Sequence, residues 1–240
     1  MEFKFRPADE RGHADYGWLH ARYTFSFSEY YDRSHCGFHS LMVMNNDIIE
    51  PGGGFPMHPH KNAEIFTYVI SGKLEHKDSM GNRSVIDSGE LQYMSAGNGI
   101  RHSEFNPSNT DQTELYQIWM QSNQIGGNPR YAKRKVGLEN FNNESQLLFS
   151  KDGKYDSIQI RQNAEFYIAY LNATKSLSIN TSLSLPHLWI QNISGEITLN
   201  DYTLKKSDGL GITNLKEKIE LEAKEESRFF IFRLAQRERK

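Results

Sequence analysis

An all-β protein built as two tandem halves is what this sequence predicts, and three observations predict it. Short apolar runs alternate with turn chemistry along the whole chain: residues 50–54, Ser71-Gly72, residues 79–82, Ser88-Gly89, residues 97–99, Ser194-Gly195 and Asp208-Gly209. Such spacing reads as a sandwich or barrel of short strands. Helical periodicity is weak, and only residues 29–32 and 139–148 are expected as short helices. Finally, the chain repeats itself: residues 68–78 (YVISGKLEHKD) align with 191–201 (QNISGEITLND) at an offset of 123, and Ser88-Gly89 aligns with Asp208-Gly209 at an offset of 120. A duplicated β-domain explains both offsets.

Taken in order, the first half is expected to span residues 1–125. Gly52, Gly53 and Gly54 precede no GK[ST] and open no helical pattern, so they read as a turn before a strand rather than a phosphate cradle. Asn98-Gly99 reads as a hairpin-type turn. The polar stretch 122–130, with Gly126-Gly127 and Pro129, reads as a linker, and the basic run Lys133 to Lys135 as its solvated continuation. Residues 126–240 are therefore expected to hold the linker and the second β-domain.

Composition narrows the function. The apolar fraction of 37% plus 18 glycines approaches the globular range. With 28 basic against 30 acidic residues and a net charge of −2, there is no electrostatic footprint for nucleic acid. No run nears the roughly 18–20 apolar residues of a membrane span. The start of the chain lacks a signal-peptide pattern, and the lone Cys36 cannot form an internal disulfide, so the cytoplasm is the expected compartment. Cys36 itself is expected as a small buried apolar side chain.

The chemistry lies in two pairs, His58-Pro59-His60 and His102-Ser103-Glu104, whose first members are 44 positions apart. Residues two apart on a strand share a face. Two adjacent strands would thus gather three imidazoles and a carboxylate, a set that accepts Fe(II), Mn(II), Ni(II), Cu(II) or Zn(II) and leaves coordination positions open. By the same parity Glu64 is expected on the face of His58 and His60, within reach of a ligand imidazole. Phe66, Tyr68 and Met94 are expected in barrel packing or at the pocket wall. His13, His20, His35, His39, His76 and His187 are expected to have no metal role. At the repeat offset the second half carries Thr181 and Leu183 in place of His58 and His60, with His187 opposite Glu64 and only Glu220 or Glu222 near the second pair, so it is expected to be metal-free and structural.

Gly52-x5-His58-x-His60-x3-Glu64 with Gly72, and Gly89-x5-Ser95-x-Gly97 leading to His102, resemble the two motifs of the cupin superfamily. Gly72 comes one residue late, Ser95 replaces the usual proline, and two extra residues precede His102. Residues 17–27 (GWLHARYTFSF), 51–60 (PGGGFPMHPH), 76–81 (HKDSMG) and 94–104 (MSAGNGIRHSE) are similar to the pirin family, densely over about residues 12–122. The resemblance implies two tandem cupin barrels of double-stranded β-helix, or jelly-roll, type. It implies one metal, Fe(II) first, held in the N-terminal half by His58, His60, His102 and Glu104. It further implies quercetin 2,3-dioxygenase-like activity on a small-molecule substrate and dioxygen, with Glu104 as the catalytic proton acceptor. The alternative it offers is a non-catalytic, metal- or redox-dependent co-regulator with a protein partner. A monomer is expected.

Overall fold

The computed structural model describes residues 1–136 and 143–236. In chain order the strands are β1 (Glu2–Arg6), β2 (Gly12–Asp15), β3 (Leu19–Tyr23), β4 (Leu41–Ile49), β5 (Gly54–His60), β6 (Ala63–Ser71), β7 (Lys73–Asp78), β8 (Arg83–Asp87), β9 (Glu90–Ser95), β10 (Ile100–Phe105), β11 (Thr113–Gln121) and β12 (Arg130–Lys135). They continue with β13 (Glu144–Ser150), β14 (Ile158–Gln159), β15 (Ala164–Leu171), β16 (Ser176–Ile179), β17 (His187–Ser194), β18 (Ile197–Leu199), β19 (Tyr202–Leu204), β20 (Gly209–Thr213), β21 (Ile219–Ala223) and β22 (Ser227–Leu234). Among the described residues no helix is long and apolar enough to cross a membrane.

Among the described residues neither expected helix is found. Residues 27–30 close a tight turn in which Phe27 and Tyr30 exchange backbone hydrogen bonds of 3.0 Å, with Ser28 at φ 53°. The second expectation falls partly on residues 139–142, outside the described residues. The rest of it is strand β13, whose residues pair with β15. Tertiary pairing overrides the short helical pattern at both places.

Two compact units emerge: Gly12–Gly37 with Leu41–Val136, and Met1–Arg11 with Phe38–Ser40 and Gly137–Lys240. The expected boundary lay between residues 125 and 126. The division differs because edge strands close each unit. The basic run Lys133 to Lys135 is no linker but part of β12, which pairs with β9, and Lys133 Nζ reaches Glu90 at 2.9 Å. In the other unit β1, from the start of the chain, pairs with β20.

Each unit is a seven-stranded sheet over a four-stranded one. The first has the orders β12-β9-β6-β11-β4-β3-β2 and β5-β10-β7-β8, and the second β1-β20-β17-β22-β15-β13-β14 and β16-β21-β18-β19. The four-stranded orders and the inner strands of the seven-stranded ones correspond, which is the structural form of the sequence repeat; the edges differ, β2 pairing antiparallel with β3 where β14 runs parallel to β13.

The interiors differ. In the first unit Thr67 lies opposite both Gln92 and Gln117, a polar layer between apolar clusters containing Val69 and Leu115 on one side and Ile65 and Met94 on the other. At the same register in the second unit Ile190 faces Leu210 and Ile231, all within one apolar cluster. His76 likewise gives way to the buried Leu199 at the repeat offset. The second unit is therefore filled with hydrocarbon where the first carries polar side chains.

Gly72 and Gly195 mark the same turn in each repeat, at φ 76° and 77°. A Cβ at Gly72 would come within 2.5 Å of the Gln112 carbonyl oxygen. Gly72→Ala should therefore lower stability by about 1–3 kcal/mol, because left-handed backbone and a backbone clash add up. Urea unfolding checks this, and an unchanged midpoint would contradict the close approach.

Candidate metal centre

β5 and β10 run antiparallel, with His102 opposite His58 and Ile100 opposite His60. The register then slips, so that Glu104 faces Phe55. Two steps along β10 span three along β5, the signature of a bulge. Pro56 lies in that stretch, and its carbonyl is 2.8 Å from His58 Nδ1. A proton donated there leaves His58 Nε2 as the free lone pair. Pro56 and Pro59 fit because β5 is an edge strand. Gly54 is needed at its start, since a Cβ would come within 2.4 Å of the Glu104 carbonyl oxygen.

Three imidazoles converge as the strand parity predicts. Ring centroids of His58, His60 and His102 are 4.4 to 4.8 Å apart, and one nitrogen from each lies within 4.8 Å of the others. His102 is 1% exposed, yet neither of its ring nitrogens has a hydrogen-bond partner. Burial, then repulsion from His102 and His58, pushes His60 down to about 4, with Glu104 opposing. Burial, followed by His58 and His76, pushes His102 down to about 3. Both rings are thus neutral at neutral pH and present lone pairs.

Glu104 is 2% exposed and held by neutral donors only at its observed bonds: Gln117 Nε2 at 2.8 Å, Gln92 Nε2 at 3.1 Å and Thr67 Oγ1 at 3.3 Å. Its carboxylate groups with His102 and His76 rather than with all three converging histidines. The four expected residues therefore fall, together with His76, into two overlapping trios that share His102. A set of imidazoles, two of them held neutral by burial, beside a buried carboxylate suits a divalent cation in both charge and donor type. Next to His60 the surface opens into a cavity of about 390 Å³, lined by Pro59, Lys61, Ser79, Gly99, Ile100 and Arg101.

His76 is the residue that sequence reasoning set aside. It is fully buried on β7 opposite Glu104, stacks on Tyr131 at 4.9 Å, and lies 3.3 Å from Asp78. Its signal was the His76-x-Asp78 spacing, which puts an imidazole and a carboxylate on one strand face.

Glu64 departs from the expected face. Thr67 and Gln92 reach Glu104, so odd positions of β6 and even positions of β9 point at the site. Glu64 points the other way and accepts hydrogen bonds from Tyr93 and Ser95, which also accounts for serine at that motif position. Parity counting fails here because the chain changes sheets between β5 and β6, at Asn62 with φ 54°. In the second unit His187 has both nitrogens engaged, accepting from the Asn214 N–H at 3.1 Å and meeting Gln236 Oε1 at 2.8 Å. His20 pairs with Glu50 and Asp15, and His35 with Asp32. Phe66 stacks on Tyr93 away from the site, whereas Met94 packs with Ile65 and Ile100. Cys36 is exposed, not buried, because the turn after Asp32 carries it outward.

Two tandem barrels of this topology define a bicupin, and among the described residues the histidine clusters lie in the first. The family model described as Pirin matches residues 4–120, and that described as the quercetinase C-terminal cupin domain matches residues 147–234. A quercetin 2,3-dioxygenase of Escherichia coli K12 is 43% identical over 95% of this chain and 97% of its own. A putative quercetin 2,3-dioxygenase of Pasteurella multocida is 39% identical over 96% and 99%. The crystal structure of YhhW from Escherichia coli superposes with a TM-score of 0.93 at 40% identity, covering 100% of both chains. Its complex with nickel(II) gives 0.93 at 41% identity, over 98% of this chain and 100% of that one. This chain belongs to the pirin family.

The depressed imidazoles make metal-free stability depend on pH. The folded pKa of His60 lies below its ordinary 6.5, at about 4, so the unfolded chain takes up protons that the folded chain refuses. Stability is full above 6.5 and should fall as pH drops towards 4. Thermal unfolding of metal-free protein across that window measures it, and a flat profile would argue that the rings are solvated.

Proposed function

We propose that this protein is a metal-dependent dioxygenase that opens the ring of a flavonol such as quercetin, or of a related enol-bearing aromatic. His58, His60, His102 and Glu104 hold one divalent ion, Fe(II) first, with Mn, Ni, Cu or Zn accepted by the same donors. One observation carries this reading above the rest: His102 is buried with both ring nitrogens unpartnered, beside the imidazoles of His58 and His60. An unpaired buried polar atom costs about 1–3 kcal/mol, and a cation at the lone pair removes that cost. The relatives named quercetin 2,3-dioxygenase support the activity, and the nickel(II) complex of a structural neighbour supports the ion.

When bound, the ion supplies a Lewis acid that draws the substrate's adjacent hydroxyl and carbonyl oxygens and lowers the hydroxyl pKa. Glu104 takes the hydroxyl proton. Gln92 and Gln117 steady its carboxylate oxygens through their side-chain amides, so the base is pre-aimed. Trp119 packs edge-on against His60 at 4.8 Å and walls the site. The cavity that touches His60 falls within the size range of small-molecule sites. That opening supports catalysis over a purely regulatory metal.

His58→Ala or His102→Ala should abolish tight metal binding, whereas His187→Ala should leave metal content unchanged; equal loss in all three would overturn the assignment. Iron-loaded protein given quercetin should consume oxygen and bleach the flavonol absorption band. Absence of both would count against the substrate class while leaving the metal centre standing.

A further inference from the structure

Among the described residues, three buried imidazole nitrogens in the first unit have no hydrogen-bond partner: both of His102 and Nδ1 of His76. A ligand imidazole gives one nitrogen to the ion, so the other must carry a proton that needs an acceptor. His76 stands beside it. The ring centroids are 5.3 Å apart, and a nitrogen of each lies within 4.8 Å of the other's. An N–H···N bond of roughly 3 Å, with ring nitrogens about 1 Å from their centroids, spans about that ring-to-ring distance. The far side of His76 is already anchored: Nε2 lies 3.3 Å from Asp78 Oδ2. Asp78 is fixed in turn by Asn82 Nδ2 at 2.8 Å and by the backbone N–H groups of Met80 and Asn82 at 2.9 and 3.0 Å.

We propose that His76 and Asp78 are positioning residues for the metal centre: His102 donates its second ring N–H to His76 Nδ1, and His76 Nε2–H donates to Asp78. The relay rests on His102 being a metal ligand. It sets which His102 nitrogen carries the proton, holds the ring's orientation, and raises its donor strength by leaning on a carboxylate. In this arrangement His76 does not itself bind the ion: it does not group with His58 and His60, its Nδ1 lone pair is taken by His102, and its Nε2 meets Asp78.

His76→Phe keeps an aromatic ring against Tyr131 and removes both nitrogens, while His76→Gln restores an acceptor. Nickel(II) affinity, measured by chelator competition, should fall 10–100-fold in His76→Phe and recover in part in His76→Gln. In copper(II)-loaded protein, pulsed EPR should count the same number of coordinated imidazoles in wild type and His76→Phe, with one remote-nitrogen coupling altered. Nitrogen-labelled histidine spectra of the unmutated zinc-loaded protein should show a coupling across the His102–His76 hydrogen bond, whatever the variants' folding. Unchanged affinity and couplings in both variants, or no such bond in the wild type, would overturn the relay alone. One fewer coordinated imidazole in His76→Phe would overturn it by making His76 a ligand. Wild-type protein that binds no metal through His102 would overturn the metal-centre reading and the relay together.

Discussion

The first unit depends on a buried polar layer inside a β-barrel. Thr67, Gln92, Gln117, His76, His102 and Glu104 occupy interior positions where a β-sandwich ordinarily places hydrocarbon, and each of them is less than a tenth exposed. Burying polar groups is tolerated only when they are paired. Most are: the two glutamines and the threonine spend their hydrogen bonds on Glu104 and on one another. What remains unpaired is the lone-pair capacity of imidazoles, which is what a cation consumes. The barrel interior is thus left with donor capacity rather than filled by more packing.

The second unit shows the same frame without that requirement. Ile190, Leu210 and Ile231 take the places of Thr67, Gln92 and Gln117, and a single apolar cluster fills the interior. Side-chain burial of this kind stabilises by about 1.5–3 kcal/mol per large aliphatic residue. One half of the duplication has thus kept the barrel as a packed core, while the other gives up some of that stabilisation to place donors. At the edges β12, from the same stretch of chain, closes one seven-stranded sheet, and β1, from the opposite end of the chain, closes the other.

Much of this was legible in the sequence, for reasons that differ by residue. His58, His60 and His102 were readable because alternation along one strand and pairing with its neighbour are local rules with a period of two. The duplicated fold was readable because Ser71-Gly72 and Ser194-Gly195 both need positive-φ glycine in the same turn. Where the chain leaves a sheet the local rule lapses. Glu64 was placed on the wrong face because the count ran across Asn62, and Lys133 to Lys135 looked like a linker because an edge strand with one solvated face has the composition of one.

By itself, then, the sequence determined the all-β class, the repeat, the three converging histidines and the absence of equivalent donors at 181 and 183, since each follows from spacing within a strand or turn. Only the tertiary structure decided that His76 and Asp78 are buried opposite Glu104 and His102, that Glu104 sits among neutral amides, that Glu64 turns away and that β1 belongs with the far half of the chain. Those outcomes depend on which strands become neighbours and on the bulge at Pro56. Strand order and register are set by long-range pairing, which no local periodicity encodes.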